Sequence, residues 1–161
     1  MSALTVADLA GVVYSSGRVF NGLSTGRLDT ENFLRSGSTE GISSRADLEL
    51  LEDLRDGAQF ILDNGNRTID ATYVREINAA LSRSAAMHPG RLREPTQRIG
   101  VSTRYGRYEP EAITESELQE TIAAARSPLD LFVLLAAAQP FEDGNKRTAL
   151  FAANAALIRD G

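Results

Sequence analysis

The stretch Gln139-Pro140-Phe141-Glu142-Asp143-Gly144-Asn145-Lys146-Arg147-Thr148 holds the densest set of chemically able side chains in the chain. Asp143 is placed to cap a helix running from Gly144 to about Arg159. A helix start points unpaired N–H groups and a partial positive charge outward, which suits an anion. Gly144 lets a ligand approach the backbone closely. Lys146 and Arg147 fall in the first turn, where cations oppose the helix dipole, and a phosphate there would relieve that conflict. Asp143 brings a carboxylate suited to Mg²⁺ bound together with phosphate oxygens, and Asn145 brings amide donors. The same spacing also fits an ordinary loop and helix cap with a solvated Lys-Arg face.

Composition narrows what else the chain can do. It has 161 residues, no cysteine and a single histidine, His88. Disulfides, thiol nucleophiles, cysteine zinc sites and clusters of histidine ligands are thereby excluded. The net charge of −5, from 22 acidic and 17 basic residues, argues against broad binding to nucleic acid or to anionic membranes. No run approaches the roughly 20 apolar residues of a membrane span. The first residues lack the basic start and apolar run of a signal peptide, so the expected compartment is the cytoplasm. The length predicts one domain.

Helix signals dominate the elements that must position this loop. A first helix is expected over residues 4–14 and a short one from Asp29 or Thr30 to Leu34. Ser44 and Asp47 resemble a capping box opening a long helix with a Leu48, Leu51, Leu54, Ala58, Ile61, Leu62 stripe, closed by Asn64-Gly65. Asp70 caps the next helix, whose stripe is Tyr73, Val74, Ile77, Ala80 and Leu81, with His88-Pro89-Gly90 as its stop. Residues 98–101 and 104–108 read as two short strands of a hairpin. Arg93, Arg98, Arg104 and Arg107 make this the most basic stretch of an acidic chain. Thr114 with Glu117 opens a helix to about Arg126. Ser127, Pro128 and Asp130 open another that is apolar nearly all round, so it is expected at the centre of the core. The fold class expected is all-α, a helical bundle with one buried central helix and one small β-hairpin.

The loop resembles the Fic/Doc (Fido) signature, H-x-F-x-[D/E]-[G/A]-N-[G/K]-R, often followed by x-x-R. Phe141, Asp143, Gly144, Asn145 and Arg147 match at the family's spacing. Pro89-Gly90-Arg91-Leu92-Arg93 resembles the family's approach to its flap, and the Arg-rich hairpin looks like the flap itself. The resemblance covers roughly residues 68–161. It implies one Fic-like domain over 1–161, with a Fic core at 68–161 and an N-terminal part at 1–66. Within that part, Ser36-Gly37-Ser38-Thr39-Glu40-Gly41 resembles the family's inhibitory motif [S/T]-x-x-x-E-[G/N]. In relatives this motif lies in a separate antitoxin or N-terminal to the core, and its glutamate enters the nucleotide site. Ser36, Glu40 and Gly41 are the inhibitory candidates here. Read without the family, Glu40 is a surface acid beside a helix start.

By that resemblance the chemistry is AMP transfer from ATP to a Ser, Thr or Tyr hydroxyl of a protein. Asp143 would hold Mg²⁺, Gly144, Asn145, Lys146 and Arg147 the phosphates, and Phe141 would anchor the loop. The flap at Ile99, Gly100 and Val101 would dock an extended target segment by strand addition. The partner is a hydroxyl-bearing protein, with neither nucleic acid nor membrane, and the pattern leaves room for a homo-oligomer. Three positions depart from the family. Gln139 stands where the family has its histidine base, and a glutamine amide cannot take a proton at neutral pH. Lys146 replaces the usual glycine, as in the Doc branch, whose members transfer phosphate. Leu150 stands in place of the second arginine, the usual partner of the inhibitory glutamate. Family members commonly continue beyond the equivalent of Gly161, so a further C-terminal helix is expected in a longer protein. The two alternatives to weak AMP transfer are Doc-like phosphotransfer and a non-catalytic nucleotide-binding or regulatory module.

Overall fold

The structure, a computed structural model, describes residues 3–84 and 86–161. A 3₁₀ turn (Val6–Leu9) leads into α1 (Ala10–Asn21), α2 (Arg27–Ser36), α3 (Arg45–Asp63) and α4 (Ala71–Leu81). A hairpin of β1 (Val101–Thr103) and β2 (Gly106–Tyr108) follows, then α5 (Glu115–Ala124), α6 (Pro128–Ala138) and α7 (Asn145–Asp160). The protein is thus mostly helical with one two-stranded antiparallel sheet, as expected. Among the described residues, no helix is long and apolar enough to cross a membrane.

The caps explain most of the boundaries. Asp70 accepts the Tyr73 N–H at 2.8 Å and opens α4. Thr114 and Glu117 form a reciprocal capping box at α5. Ser127 accepts the Asp130 N–H with Pro128 in the first turn of α6. Ser44 caps α3 by accepting the Asp47 N–H, but Asp47 does not complete a box. Its carboxylate instead accepts from the N–H and hydroxyl groups of Ser24 and Thr25, at 2.7–3.4 Å. That cluster ties the α1–α2 connection to the start of α3.

Several boundaries differ from the sequence expectation. The first helix runs on to Asn21, because Gly17 sits inside it and leaves room for Leu23 to fold back. A Cβ on Gly17 would lie 2.8 Å from Leu23 Cδ2. α2 starts at Arg27, with Gly26 as its extended N-cap, ahead of Asp29 and Thr30. α3 ends without a left-handed glycine: the Asn64 side chain donates to the Phe60 carbonyl instead. α4 stops at Leu81, well before His88, because the Ser82 hydroxyl turns back to the Asn78 carbonyl and Ser84 is drawn to Asp53. The strands begin two or three residues further along than expected, so residues 98–100 lead into β1 instead of belonging to it. Gly144, not Asp143, is the N-cap of α7, which begins at Asn145.

The largest correction concerns the core. α6 is not the central helix. It buries Leu131 and Leu135 but leaves Leu129 and Val133 exposed. The central helix is α7, which packs against α1, α3, α4 and α6. It buries Ala149, Phe151, Ala152, Ala155 and Ala156. Alanines on several faces let four helices approach one axis closely, and bulkier side chains from α3 and α4 (Leu51, Leu54, Ile61, Tyr73, Ile77) fill the space between.

Candidate functional site

The loop between α6 and α7 is held from below by its own residues. Phe141 is buried, and its carbonyl and N–H are both taken by the Asn145 side chain, at 2.9 and 2.8 Å. The third Asn145 contact donates to Gln139 Oε1 at 3.2 Å. The Asn145 amide is therefore spent inside the loop, and only its backbone N–H remains for a ligand. Gly144 takes φ 73°, a left-handed conformation that glycine adopts without a side-chain penalty. A Cβ there would also sit 3.1 Å from Arg147 Nη2 and 3.3 Å from Asn78 Nδ2.

Asn78, buried on α4, is the hub beneath the loop. Its Nδ2 donates to the Asp143 carbonyl at 2.9 Å and to Thr148 Oγ1 at 3.0 Å, while its Oδ1 accepts the Gly90 N–H at 2.9 Å. One amide thus fixes the loop, the first turn of α7 and the turn leading to the hairpin. Sequence reading placed Asn78 on a helix and gave it no role; nothing in the spacing marks a buried amide as a junction of three segments.

A second clamp joins loop and hairpin. Arg93 is buried without a carboxylate partner among the described residues. Its Nε donates to the Gln139 carbonyl at 2.7 Å, its Nη1 to Gln97 at 3.2 Å and its Nη2 to Pro110 at 2.7 Å. Burial pushes its pKa down, but each of its three side-chain nitrogens has a carbonyl partner. Both ends of the hairpin are thus tied to the residue where the family has its histidine.

The resulting cavity of about 250 Å³ is lined by Gln139, Glu142, Asp143, Gly144, Asn145, Lys146 and Arg147, with Ile99 from the hairpin approach and Phe20 and Asn21 from the end of α1. The structure therefore brings the expected loop residues and Ile99 together. Gly100 and Val101 follow Ile99 into the hairpin. Ser36, Glu40 and Gly41 are not brought to this cavity. Ser36 ends α2, while Glu40 is exposed in the loop before α3, where its N–H donates to Ser38. The N-terminal element that reaches the site is α1, through Phe20, whose ring stacks on Phe132 with centroids 6.5 Å apart. Position in the chain gave no sign of this, because the contact depends on how α1 packs against α7.

The electrostatics centre on Arg147. Its side chain is only 2% exposed, and its Nε and Nη2 have no hydrogen-bond partner. The nearest carboxylate, Asp143, lies 3.5 Å away, outside hydrogen-bonded geometry. Burial pushes the guanidinium pKa down, and the carboxylates of Asp143 and Asp53 push it back up. A buried charge left with unused donors is costly unless a ligand completes it. Arg147 faces the cavity at the N-terminus of a helix of 16 residues. That arrangement fits a phosphate. Asp143 is half-exposed, and among the described residues no group of three or more acidic or histidine side chains stands ready to hold a metal. A divalent cation would fit here only when phosphate oxygens supply much of its shell.

Neither Gln139 nor Glu142 is poised as a base. Gln139 adopts the left-handed region, φ 47° and ψ 57°, the one described non-glycine residue with positive φ. Its Nε2 donates to the Ala136 carbonyl at 2.6 Å, and its Oε1 accepts from Asn145, so the amide is locked. Glu142 accepts the His88 backbone N–H at 2.6 Å and a Gln97 amide hydrogen at 3.1 Å. The His88 N–H chiefly holds its carboxyl below the usual range, against the effect of burial and with help from Gln97. It is correspondingly a weak base. His88 itself is exposed and meets the loop through its backbone.

Comparison with known proteins bears on the family and the fold. A family model described as the Fic/DOC family matches residues 68–157. No curated protein matches the chain. Among solved structures, the fold is similar to a Fic-domain-containing signaling protein from Bacteroides thetaiotaomicron, with a TM-score of 0.67 at 20% identity. The alignment covers 94% of this chain and 63% of that one, so this chain spans under two thirds of the length of the protein it matches.

Proposed function

Because the chain belongs to the Fic/DOC family, we propose that the cavity at the start of α7 binds the phosphates of an ATP-type nucleotide, and that its chemistry is AMP transfer to a protein hydroxyl, slow with Gln139 in the base position. The observation that carries this reading is the buried Arg147 guanidinium, which lines the cavity and has no hydrogen-bond partner at Nε or Nη2. The backbone N–H groups at the start of α7 and Arg147 would hold phosphate oxygens and stabilise the charge that grows on them during transfer. Mg²⁺ bound with the phosphates would sit against Asp143 and neutralise charge on the leaving pyrophosphate.

In that transfer the hydroxyl oxygen forms a bond to the α-phosphorus, the bond to pyrophosphate breaks, and the hydroxyl proton needs an acceptor. Gln139 offers none, since its amide is not basic and both of its polar atoms are engaged. Losing a general base costs typically 10²–10⁴-fold in rate, so about that much activity is absent from this sequence. Glu40, exposed and away from the cavity, has no part in this reading.

Lys146 favours a second reading. It is exposed on the cavity wall, and no carboxylate among the described residues lies within ion-pair distance of it. An ammonium there could seat a different phosphate and present the γ-phosphorus to the hydroxyl. Gln139→His with ATP labelled at either the α or the γ phosphate separates the readings. Transfer of the α label supports AMP transfer and transfer of the γ label supports phosphotransfer. Calorimetric binding of ATP·Mg²⁺ without any label transfer leaves a non-catalytic nucleotide module. Absence of ATP·Mg²⁺ binding sinks all three.

A further inference from the structure

Resting on the reading above, we propose that the hairpin selects its target by charge: the segment that docks on it is extended and carries acidic side chains around the hydroxyl residue. The hairpin is a sheet of two strands only, so each strand keeps one edge of unpaired backbone groups. Such an edge is a template for an added strand. The outer edge of β1 is the relevant one, because Ile99, just before it, lines the signature cavity.

The orientation of the hairpin follows from one contact. The Tyr108 hydroxyl donates to the Ala137 carbonyl of α6 at 3.3 Å. Tyr108 lies opposite Val101, so their shared face is turned toward the body of the protein. Strand alternation then puts Ser102 and its partner Arg107 on the outer face. The Arg107 guanidinium lies across to Gly100, just before the other strand, in space that only a residue without a side chain leaves open. Arg104, in the turn, lies over the Tyr105 ring at 4.7 Å.

These two arginines differ from their neighbours. Arg91 pairs with Glu94 and Arg98 pairs with Glu109. No carboxylate among the described residues lies within ion-pair distance of Arg104 or Arg107. Both are exposed. A chain of net charge −5 thus presents two unneutralised cations on the hairpin that leads into its cavity. That field attracts carboxylates along a docking strand and repels lysine and arginine. Since the charges are exposed, the effect falls with added salt.

The test uses short fluorescein-labelled peptides with a central threonine flanked by acidic, neutral or basic residues, titrated with the full chain and read by fluorescence anisotropy. The acidic peptide is expected to bind about tenfold more tightly than the basic one at low salt, the sum of a few exposed pairs, and this gap is expected to close in high salt. Alternate N-methylation of the acidic peptide's backbone should abolish its binding, which pure charge attraction would not require. The double variant Arg104→Glu/Arg107→Glu should reverse the preference toward the basic peptide, a gain that a misfolded protein could not show. Three outcomes overturn the proposal: equal binding of all three peptides or of none, an unchanged preference in the double variant, or equal competition by a single-stranded oligonucleotide of matched charge. ATP·Mg²⁺ calorimetry on the same proteins keeps the two ideas apart. Loss of nucleotide binding with the acidic preference intact defeats the nucleotide reading alone, and the converse defeats this one alone.

Discussion

α6 and α7 are neighbours, packed on one another, and their compositions point the wrong way about which is central. α6 is almost wholly apolar, PLDLFVLLAAA, yet it lies at the side with Leu129 73% and Val133 53% exposed. α7 begins Asn-Lys-Arg-Thr, yet Asn145, Arg147 and Thr148 are all buried. What separates the helices is side-chain size on every face. Alanines at 149, 152, 153, 155 and 156 let α1, α3, α4 and α6 close around α7. Leu129 and Val133 project where no helix covers them. Most of the polar first turn of α7, all but Lys146, is carried inside with the rest, and its polar groups line the cavity or hold its loop. Asn145 and Thr148 find partners there, while Arg147 keeps two nitrogens unpaired.

Substitutions can break this contrast. Phe151→Ala on α7 should cost about 3–5 kcal/mol, as for other fully buried aromatic truncations, read by urea unfolding; a cost near zero would remove α7 from the centre. Arg147→Met should weaken ATP·Mg²⁺ binding about tenfold or more, the worth of a lost charge-assisted hydrogen bond. The same change should leave the melting temperature unchanged or higher, because an incompletely paired buried charge is replaced by an apolar side chain of similar length. A fall in both would make Arg147 a structural residue. Asn78→Ala should cost about 1–3 kcal/mol, since it strands the Gly90 N–H and the Asp143 carbonyl, and calorimetry should show weaker nucleotide binding as the loop loosens.

Asp47 tests the periphery of the bundle through pH. Burial pushes its pKa up, but hydrogen bonds from Thr25 and Ser24 outweigh that and hold it below the usual carboxylate value. A lowered folded pKa stabilises the protein above the unfolded value, about pH 4, and that contribution is lost as pH falls through the folded pKa. Asp47→Asn should therefore be less stable than the parent at neutral pH, with the gap narrowing below about pH 4. Least of all, Val133→Ala on α6 should change stability by no more than about 0.5 kcal/mol; a cost like that of Phe151→Ala would erase the difference between the two helices.

Much of this was written in local sequence. Asp70, Thr114 with Glu117, and Ser127-Pro128 fixed three helix starts, because a cap needs only a side chain and an N–H three residues on. Phe141, Asp143, Gly144, Asn145 and Arg147 marked the loop through their resemblance to the Fic/Doc signature, and the structure gathers the last four around one cavity. Other features depended on segments far apart in the chain. Asp47 looked like half of a capping box and instead serves Ser24 and Thr25. Residues 36–41 looked like the N-terminal element at the site, and the end of α1 stands there.

Local sequence settled the short-range elements and the chemical inventory: mostly helix, one basic hairpin, no thiol, and a glutamine where the Fic/Doc signature has histidine. The tertiary structure decided which helix became the core, that Arg147 would be buried with donors unspent, and that Asn78 and Arg93 would pin the loop to α4 and to the hairpin. The reason is range. Caps and turns are settled within about one helical turn, whereas burial and a ligand's cradle depend on what other segments leave uncovered.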